Sequence, residues 1–229
     1  MTVAEYTDKE FLDRYLEKTK EHWQTLYSPI LGILGNPQGK IILDIGCGPG
    51  ELTNRLAELG ARAIGIDTSE EWIDYCKKNY SNNKNAEFLT GNTNNLHMIN
   101  SESIDTVIAS MVFINIDRLD DVKKAFEEAR RVLKRGGSFI FSDLDVKGIM
   151  DTTMPTREII FPKYFKYDEG DSFNAKITLE SGKVMTFQDR YWPNETYKRF
   201  LHENNFRLIE TIGTGYKDRE YKIFNCRKD

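Results

Sequence analysis

The chain has 229 residues, a length that suits one α/β domain with an insertion better than two full domains. Its formal net charge of −4 argues against a general binder of nucleic acid or acidic membranes. Its three cysteines, at positions 47, 76 and 226, have neither the count nor the spacing of a disulfide framework or zinc cluster, so we expect a reducing, cytoplasmic compartment and no metal.

The first 39 residues predict a helical segment followed by a loop. Thr7 and Glu10 have the spacing of a capping box, and apolar residues then recur every three or four positions as far as Leu26. A turn is predicted at Ser28-Pro29. The N-terminus has no apolar core of a signal peptide, and no run is long enough to cross a membrane, so we expect a soluble protein.

Strand and helix patterns alternate between residues 40 and 143. Strands are predicted at 40–45, 61–66, 86–90, 104–110 and 138–142. Helices are predicted at 51–59, at 68–80 behind a capping box that begins at Thr68, and at 117–133, capped by Asp117 and ended by Gly136-Gly137. Such alternation predicts an α/β fold whose parallel strands are joined by crossover helices on both faces of the sheet.

The alternation stops at residue 144. Residues 144–192 are rich in aromatic side chains and are interpreted as an insertion, which contains a predicted β-hairpin around the two-residue turn Ser181-Gly182. A helix then begins at Pro193-Asn194 and ends near Asn204. Strands are predicted at 206–211 and 221–226, so residues 193–229 complete the same single domain.

A glycine loop follows the first strand of this core. Gly46, Gly48 and Gly50 allow a tight turn and close approach to a ligand, and the helix beyond offers unpaired N–H groups. Glu51 stands where the dinucleotide fingerprint has Gly or Ala, and no P-loop lysine follows. Asp44 adds negative charge. These groups favour a cationic ligand without phosphate, such as S-adenosylmethionine.

Three successive segments, LDIGCGPG (43–50), IGIDTS (64–69) and FLTGNTNNL (88–96), resemble motifs of the class I S-adenosylmethionine-dependent methyltransferases. The resemblance implies a doubly wound, mostly parallel seven-stranded sheet whose last strand is antiparallel. It also implies that the glycine loop holds the methionine half of the cofactor, that Asp67 binds the ribose hydroxyls, and that Asn92 contacts adenine in place of a common Asp. The candidate cofactor-binding residues are Asp44, Gly46, Cys47, Gly48, Asp67, Thr68, Trp72, Asn92, Thr93 and Ser110.

The sequence says less about the acceptor and the catalytic groups than about the cofactor. Transfer from a sulfonium needs mainly proximity and alignment. Ser110-Met-Val-Phe113 replaces the [ND]PP[YF] motif of enzymes that methylate bases or protein amides, and Asn115 stands where many small-molecule relatives have His. We expect residues 1–39 and 144–192 to form an aromatic lid over the acceptor. The candidate acceptor-binding residues are Tyr6, Tyr15, Trp23, Asn115, Tyr164 and Asp189, and the candidate catalytic residues are Asp143, Tyr191 and His22.

The sequence therefore predicts a methyltransferase that modifies nitrogen or oxygen of a small-molecule acceptor, with a slight preference for nitrogen because the His is missing. No nucleic-acid or membrane partner is expected. Two alternatives stay open, namely an RNA or protein methyltransferase, and a non-catalytic module that keeps the fold and binds the cofactor or a partner.

Overall fold

A computed structural model describes residues 9–146, 158–160, 162, 166, 168–179, 181–215 and 221–229. Helix α1 (Lys9–His22) continues through a π-helical turn (Trp23–Tyr27) into α2 (Ser28–Leu34), so the N-terminal helix prediction is confirmed between residue 9 and Leu26. The turn predicted at Ser28-Pro29 is wrong, because proline is tolerated in the first turn of a helix, where it stands in α2. Leu26, Ile30 and Leu34 are buried because their spacing places them on one face of this segment. The proposed capping residue Thr7 lies outside the described residues.

The core then alternates as the sequence predicts. Its elements, in chain order, are β1 (Ile41–Ile45), α3 (Glu51–Glu58), β2 (Arg62–Asp67), α4 (Glu70–Asn79), β3 (Ala86–Thr90), β4 (Ile104–Ser110), α5 (Leu119–Val132) and β5 (Leu133–Leu144). The remaining elements are β6 (Glu158–Ile160), β7 (Ser172–Thr178), β8 (Val184–Arg190), α6 (Asn194–Glu203), β9 (Phe206–Thr214) and β10 (Tyr221–Lys228).

The main sheet has seven strands in the order β3-β2-β1-β4-β5-β10-β9. The first five strands pair in parallel, whereas β10 lies antiparallel between β5 and β9. This confirms the doubly wound sheet with an antiparallel last strand. Strands β6, β7 and β8 form a separate antiparallel sheet from the inserted segment, which includes the predicted hairpin.

Two predicted helix caps are wrong by one residue. Helix α4 is capped by Ser69 rather than Thr68, because Ser69 Oγ accepts the backbone N–H of Trp72 at 3.1 Å. Helix α5 has Arg118 at its N-cap position, with no side-chain capping bond, instead of Asp117. The helices nevertheless begin close to where the sequence placed them, because the apolar pattern decides helix position more strongly than a single cap.

Two glycine signals also act differently from the prediction. Strand β5 begins at Leu133, directly after α5, so Gly136 (φ 70°) lies inside the strand, near an irregularity in its pairing with β4. The hairpin between β7 and β8 has a longer turn than two residues: Leu179 N–H donates to the Lys183 carbonyl at 2.8 Å, and Gly182 (φ 83°) supplies the left-handed position.

The sheet separates two hydrophobic layers. Because successive residues of a strand point to opposite faces, Phe139 and Phe141 of β5 pack on the α5–α6 side while Ile140 packs on the α2–α3 side. The α5–α6 side carries an aromatic cluster that comprises Phe113, Phe126, Phe139, Phe141, Tyr197, Phe200 and Phe224. None of the helices in the described ranges is both long and apolar enough to cross a membrane.

Candidate functional site

A cavity of about 290 Å³ opens at the carboxyl ends of β1, β2, β3 and β4. This is the edge at which open α/β sheets bind ligands. The residues that line it are Tyr15, Gly46, Gly48, Asp67, Thr68, Trp72, Gly91, Asn92, Thr93, Asn94, Ser110, Met111, Val112, Asn115, Ile116 and Asp121.

The glycine loop closes one end of this cavity in a backbone form that only glycine adopts easily. Gly46, Gly48 and Gly50 have φ values of 70°, 51° and 76°. A Cβ on Gly46 would lie 2.6 Å from Cγ2 of Val112, and one on Gly50 would lie 2.6 Å from Sγ of Cys76. Side chains at these two positions would therefore distort the loop. Because both positions are glycine, the loop keeps its shape and its backbone stays open to a ligand.

Asp67, at the end of β2, ties the glycine loop to the start of α4. Its Oδ2 accepts the backbone N–H of Gly48 at 2.8 Å, and its Oδ1 accepts that of Ser69 at 2.9 Å. Burial raises the pKa of Asp67, and these backbone hydrogen bonds oppose the rise. A carboxylate has about four acceptor sites, so Asp67 can still accept bonds from two hydroxyls of a ligand.

Asp44 and Cys47 lie behind the loop rather than on the cavity wall. Asp44 is 3% exposed and accepts the Thr53 hydroxyl at 2.6 Å. Burial raises the pKa of Asp44 to about 7, and the negative charge of Asp67 adds to the rise. Contact with the Cys76 thiol, followed by burial, raises the pKa of Cys47 well above its ordinary value, so this thiol stays protonated.

The N-terminal helical segment brings Tyr15 of α1 to the cavity and Trp23 of the π-helical turn to the glycine loop. The ring of Tyr15 lies 5.4 Å from that of Trp72, and both line the cavity. Nε1 of Trp23 donates to Oε2 of Glu51 at 3.2 Å, directly after the glycine loop. Trp23 therefore positions α1 against the loop but does not line the cavity.

The end of β4 is held in a strained conformation at the cavity. Met111 has φ 59°, which is uncommon for a residue with a long side chain. Its N–H donates to the Ser142 carbonyl at 3.0 Å, and its carbonyl accepts the Asn115 side-chain amide at 2.8 Å. The Ser110 and Ser142 hydroxyls also lie 3.0 Å apart. These contacts fix the strained residue between the loop and strand β5.

Comparison with known proteins agrees with this geometry. A family model described as a methyltransferase domain matches residues 43–141. YqeM of Bacillus subtilis, whose name provisionally assigns it to the methyltransferases, is 27% identical over 200 residues, covering 84% of this chain and 78% of YqeM. The human mitochondrial ubiquinone biosynthesis O-methyltransferase is 33% identical over 182 residues, covering 78% of this chain and 44% of the human protein. The PH0226 protein structure from Pyrococcus horikoshii OT3 aligns with a TM-score of 0.71 at 19% identity, covering 94% and 91% of the two chains.

The chain carries a methyltransferase domain. The cofactor that the sequence motifs imply for this domain is S-adenosylmethionine. The residues in and behind the cavity wall fit this cofactor. The buried Asp44 behind the loop and the half-buried Asp67 on the wall provide negative charge that suits its sulfonium and ammonium groups, and the open glycine backbone can approach its methionine half.

Most of the candidate binding residues of the methyltransferase meet at one cavity. Eight of the ten cofactor candidates line it, the exceptions being Asp44 and Cys47, and so do the acceptor candidates Tyr15 and Asn115. Their roles remain predictions. Sequence reasoning missed Gly91, Asn94, Met111, Val112, Ile116 and Asp121. Asn94 lies within the quoted motif and was within reach of such reasoning, whereas Asp121 has the sequence context of an ordinary acid in the first turn of a helix.

None of the three catalytic candidates of the methyltransferase lines this cavity, and two of them share a second one. Asp143 and Tyr191 line a separate cavity of about 100 Å³ beside α6 and β10. The Asp143 carboxylate accepts hydrogen bonds from the Tyr197 hydroxyl and from the Leu144 N–H, the latter at 2.7 Å. These bonds hold Asp143 in one orientation, so a role as a base requires an acceptor that reaches this second cavity.

The other candidates of the methyltransferase are packed into the protein. The ring of His22, 7% exposed, lies 6.0 Å from that of Tyr27 and 6.1 Å from that of Tyr221. Asp189 is 1% exposed, on the inward face of β8. Neither lines the cofactor cavity.

The predicted aromatic lid is partly a hydrophobic core. Phe173, Phe187 and Trp192 are buried in three different clusters, and Nε1 of Trp192 donates to the Phe113 carbonyl at 2.8 Å. Aromatic side chains of an insertion need the same burial as any core residue, which explains why sequence composition overstated the aromatic lining. Tyr6 and Tyr164 lie outside the described residues.

Proposed function

We propose that this methyltransferase transfers a methyl group to nitrogen or oxygen of a small-molecule acceptor beneath a lid formed by residues 1–39 and 144–192. One observation carries the proposal: the hairpin of the insertion packs its apolar side chains against Tyr15, and Tyr15 lines the cofactor cavity. A lid of this kind suits an acceptor that is small enough to be enclosed beneath it.

Polar contacts at both ends of the hairpin support the assignment of a lid. At its tip, the Ser181 N–H donates to Oε1 of Glu10 on α1 at 2.7 Å. At its base, Arg190 Nε lies 3.2 Å from Oδ1 of Asp117, in the segment that follows β4. The hairpin thus extends from the N-terminal helix to the segment after the strand end that borders the cavity, as a lid over this cavity must.

The reaction is a direct displacement. S-adenosylmethionine, held at the glycine loop and Asp67, would supply the methyl group. The acceptor's bond to the methyl carbon would form as the carbon–sulfur bond breaks, so that sulfur would lose its positive charge and the acceptor atom would gain it until a proton is released. The protein contributes alignment, exclusion of water and a negative field for the cationic donor. A neutral amine needs no base before attack, whereas a hydroxyl must lose a proton, for which Asp143, Tyr191 and His22 are the proposed candidates.

The proposal favours a small acceptor over RNA or protein. A net charge of −4 is poorly suited to the phosphate contacts that dominate binding to nucleic acid. The human relative is named for ubiquinone biosynthesis, which indicates that close sequence similarity extends to enzymes of small-molecule pathways. We propose the cytoplasm as its compartment, in keeping with three buried, unbridged cysteines.

The test is a transfer assay with methyl-labelled S-adenosylmethionine and a cell extract separated into small molecules, RNA and protein. We expect label in the small-molecule fraction, identified by mass spectrometry as acceptors heavier by one methyl group. The Asp67→Ala variant is the control and should transfer no label. Label confined to RNA or protein would contradict the proposal, and cofactor binding without transfer to any fraction would support the non-catalytic alternative.

A further inference from the structure

Asp121 is an acidic residue of the cofactor cavity that belongs to none of the three motifs. It lies in the first turn of α5, half-buried, and lines the cavity together with Asn92, Thr93 and Asn94. An acid in this turn usually serves the helix dipole. That role is already filled by Asp120, which is 76% exposed and lies 4.0 Å from Arg118, so the inward position of Asp121 needs another explanation.

The Asp121 carboxylate is held by one neutral partner. Nδ2 of Asn94 donates to Oδ1 of Asp121 at 2.9 Å. Within the described residues, no lysine or arginine forms an ion pair with Asp121, and no donor is bonded to its Oδ2. The cavity therefore contains an oriented acceptor that carries negative charge and has capacity for a further hydrogen bond.

The neighbouring acceptor is already in use. Oδ1 of Asn92 accepts the backbone N–H of Asn94 at 3.3 Å, which stabilises the turn after β3. Asn92 stands where the resemblance leads one to expect an acid, and its amide has only one acceptor atom. Asp121 is thus the stronger acceptor in this part of the cavity.

The sheet order indicates which part of the cofactor reaches Asp121. Strand β3 lies two strands away from β1, about 10 Å along the sheet edge, and β2 with Asp67 lies between them. A cofactor whose methionine half lies at the glycine loop and whose ribose lies at Asp67 extends toward the β3 end. Its base then meets Asn94 and Asp121, and the 6-amino group is the only hydrogen-bond donor on adenine.

We propose that Asp121 binds the 6-amino group of the cofactor's adenine through Oδ2, and that Asn94 is a positioning residue that orients the carboxylate. The proposal rests on the proposed function and on the cofactor orientation that the sequence motifs imply. It makes Asp121 a determinant of base specificity, because a charged acceptor strongly favours a purine with an amino group over one without it.

The test compares S-adenosylhomocysteine with its nebularine analogue, in which hydrogen replaces the 6-amino group. Calorimetry should show that the wild-type protein binds the adenine compound tighter by about tenfold, the contribution typical of one hydrogen bond to a charged group. In Asp121→Asn, Asn94 retains the single amide oxygen, so the new amide nitrogen faces the 6-amino group. The preference for the adenine compound should disappear, while the affinity for the analogue should change by less than about twofold.

The matched control is Asp120→Asn, which removes the same charge one residue away and should leave the preference unchanged. Asn94→Ala should lower the preference while leaving the affinity for the analogue intact, and thermal unfolding confirms that each variant is folded. Equal weakening of both compounds in Asp121→Asn, or no weakening of either, would overturn the proposal. Absence of binding by the wild-type protein would instead refute the cofactor site itself.

Discussion

At the scale of single residues, two carboxylates set the electrostatics of the cofactor site. Asp44 is buried behind the glycine loop with a pKa of about 7, and Asp67 holds the loop through its N–H bonds. Burying a carboxylate without a cation costs free energy, and a protein tolerates this cost where a cationic ligand later compensates it. The unliganded site is therefore prepared for positive charge.

Proton uptake by Asp44 makes cofactor affinity depend on pH. Because its pKa is raised from 3.8 to about 7, the folded protein holds a proton that must leave when the cation binds. Affinity for S-adenosylmethionine should fall by up to about tenfold per pH unit below 7 and become constant above it. Titration calorimetry between pH 5.5 and pH 8 measures this slope, for which Asp44→Asn should give a nearly flat profile.

A second variant checks the assignment to Asp44. The Thr53 hydroxyl lowers the pKa of Asp44, so Thr53→Val should move the whole profile to higher pH. The raised pKa also affects stability in the absence of cofactor. The stabilisation from the bound proton is complete below the ordinary pKa of 3.8 and is lost as pH rises through about 7. An unchanged profile in both variants would assign the pH dependence to another group.

The side chain of Asp67 should matter more for binding than for folding. Asp67→Ala removes the acceptor of two backbone N–H groups and the proposed acceptor of the ribose hydroxyls, and should weaken S-adenosylmethionine binding by about a hundredfold or more. Asp67→Asn keeps one acceptor and should lose less. Calorimetry gives the affinities, and a circular dichroism spectrum equal to that of the wild type is required for this interpretation.

At the scale of elements, α1 connects the cofactor cavity to the inserted hairpin. Tyr15 contacts Trp72 on one side and the apolar face of the hairpin on the other, and Glu10 bonds to the hairpin tip. The helical period of this segment was readable in the sequence. Its partners were not, because no local pattern records which distant surface an exposed apolar face will cover.

Removal of the Tyr15 ring should weaken both the binding of the cofactor and the packing of the inserted hairpin against α1. Tyr15→Ala should weaken cofactor binding by about tenfold, since it removes an aromatic pair and a wall of the cavity, whereas Tyr15→Phe should bind nearly as the wild type does. Limited proteolysis of residues 144–192 should be faster in Tyr15→Ala. Equal cleavage rates in all three proteins would show that the hairpin is held by other contacts.

At the scale of the whole molecule, the sheet could be predicted and the site only in part. The five parallel strands follow from short apolar runs separated by amphipathic helices, which are local patterns. The antiparallel direction of the last strand came from the family resemblance. Its position between β5 and β9 was not predicted, because strand order depends on pairing across long sequence distances. The strained Met111 and the inward Asp121 depend on tertiary contacts with Ser142 and Asn94, which no motif records.

The aromatic cluster beside α5 should dominate global stability. Phe126 is fully buried and its ring contacts the rings of five neighbours, among them Phe113 and Phe139. Phe126→Ala should lower the free energy of unfolding by about 3–5 kcal/mol, and Phe126→Leu by less, as measured by urea denaturation. Similar losses in the two variants would mean that aromatic geometry, rather than buried volume, stabilises the cluster.

The positions of the three tryptophans allow intrinsic fluorescence to report the binding of the cofactor. Trp72 lines the cofactor cavity, Trp23 touches the residue after the glycine loop, and Trp192 is buried beside Phe113. Occupation of the cavity should change the surroundings of Trp72, whereas Trp192 should serve as an internal reference. Emission from the unlabelled chain can therefore follow cofactor arrival in real time, and Trp72→Phe would identify the part of the signal that comes from the cavity wall.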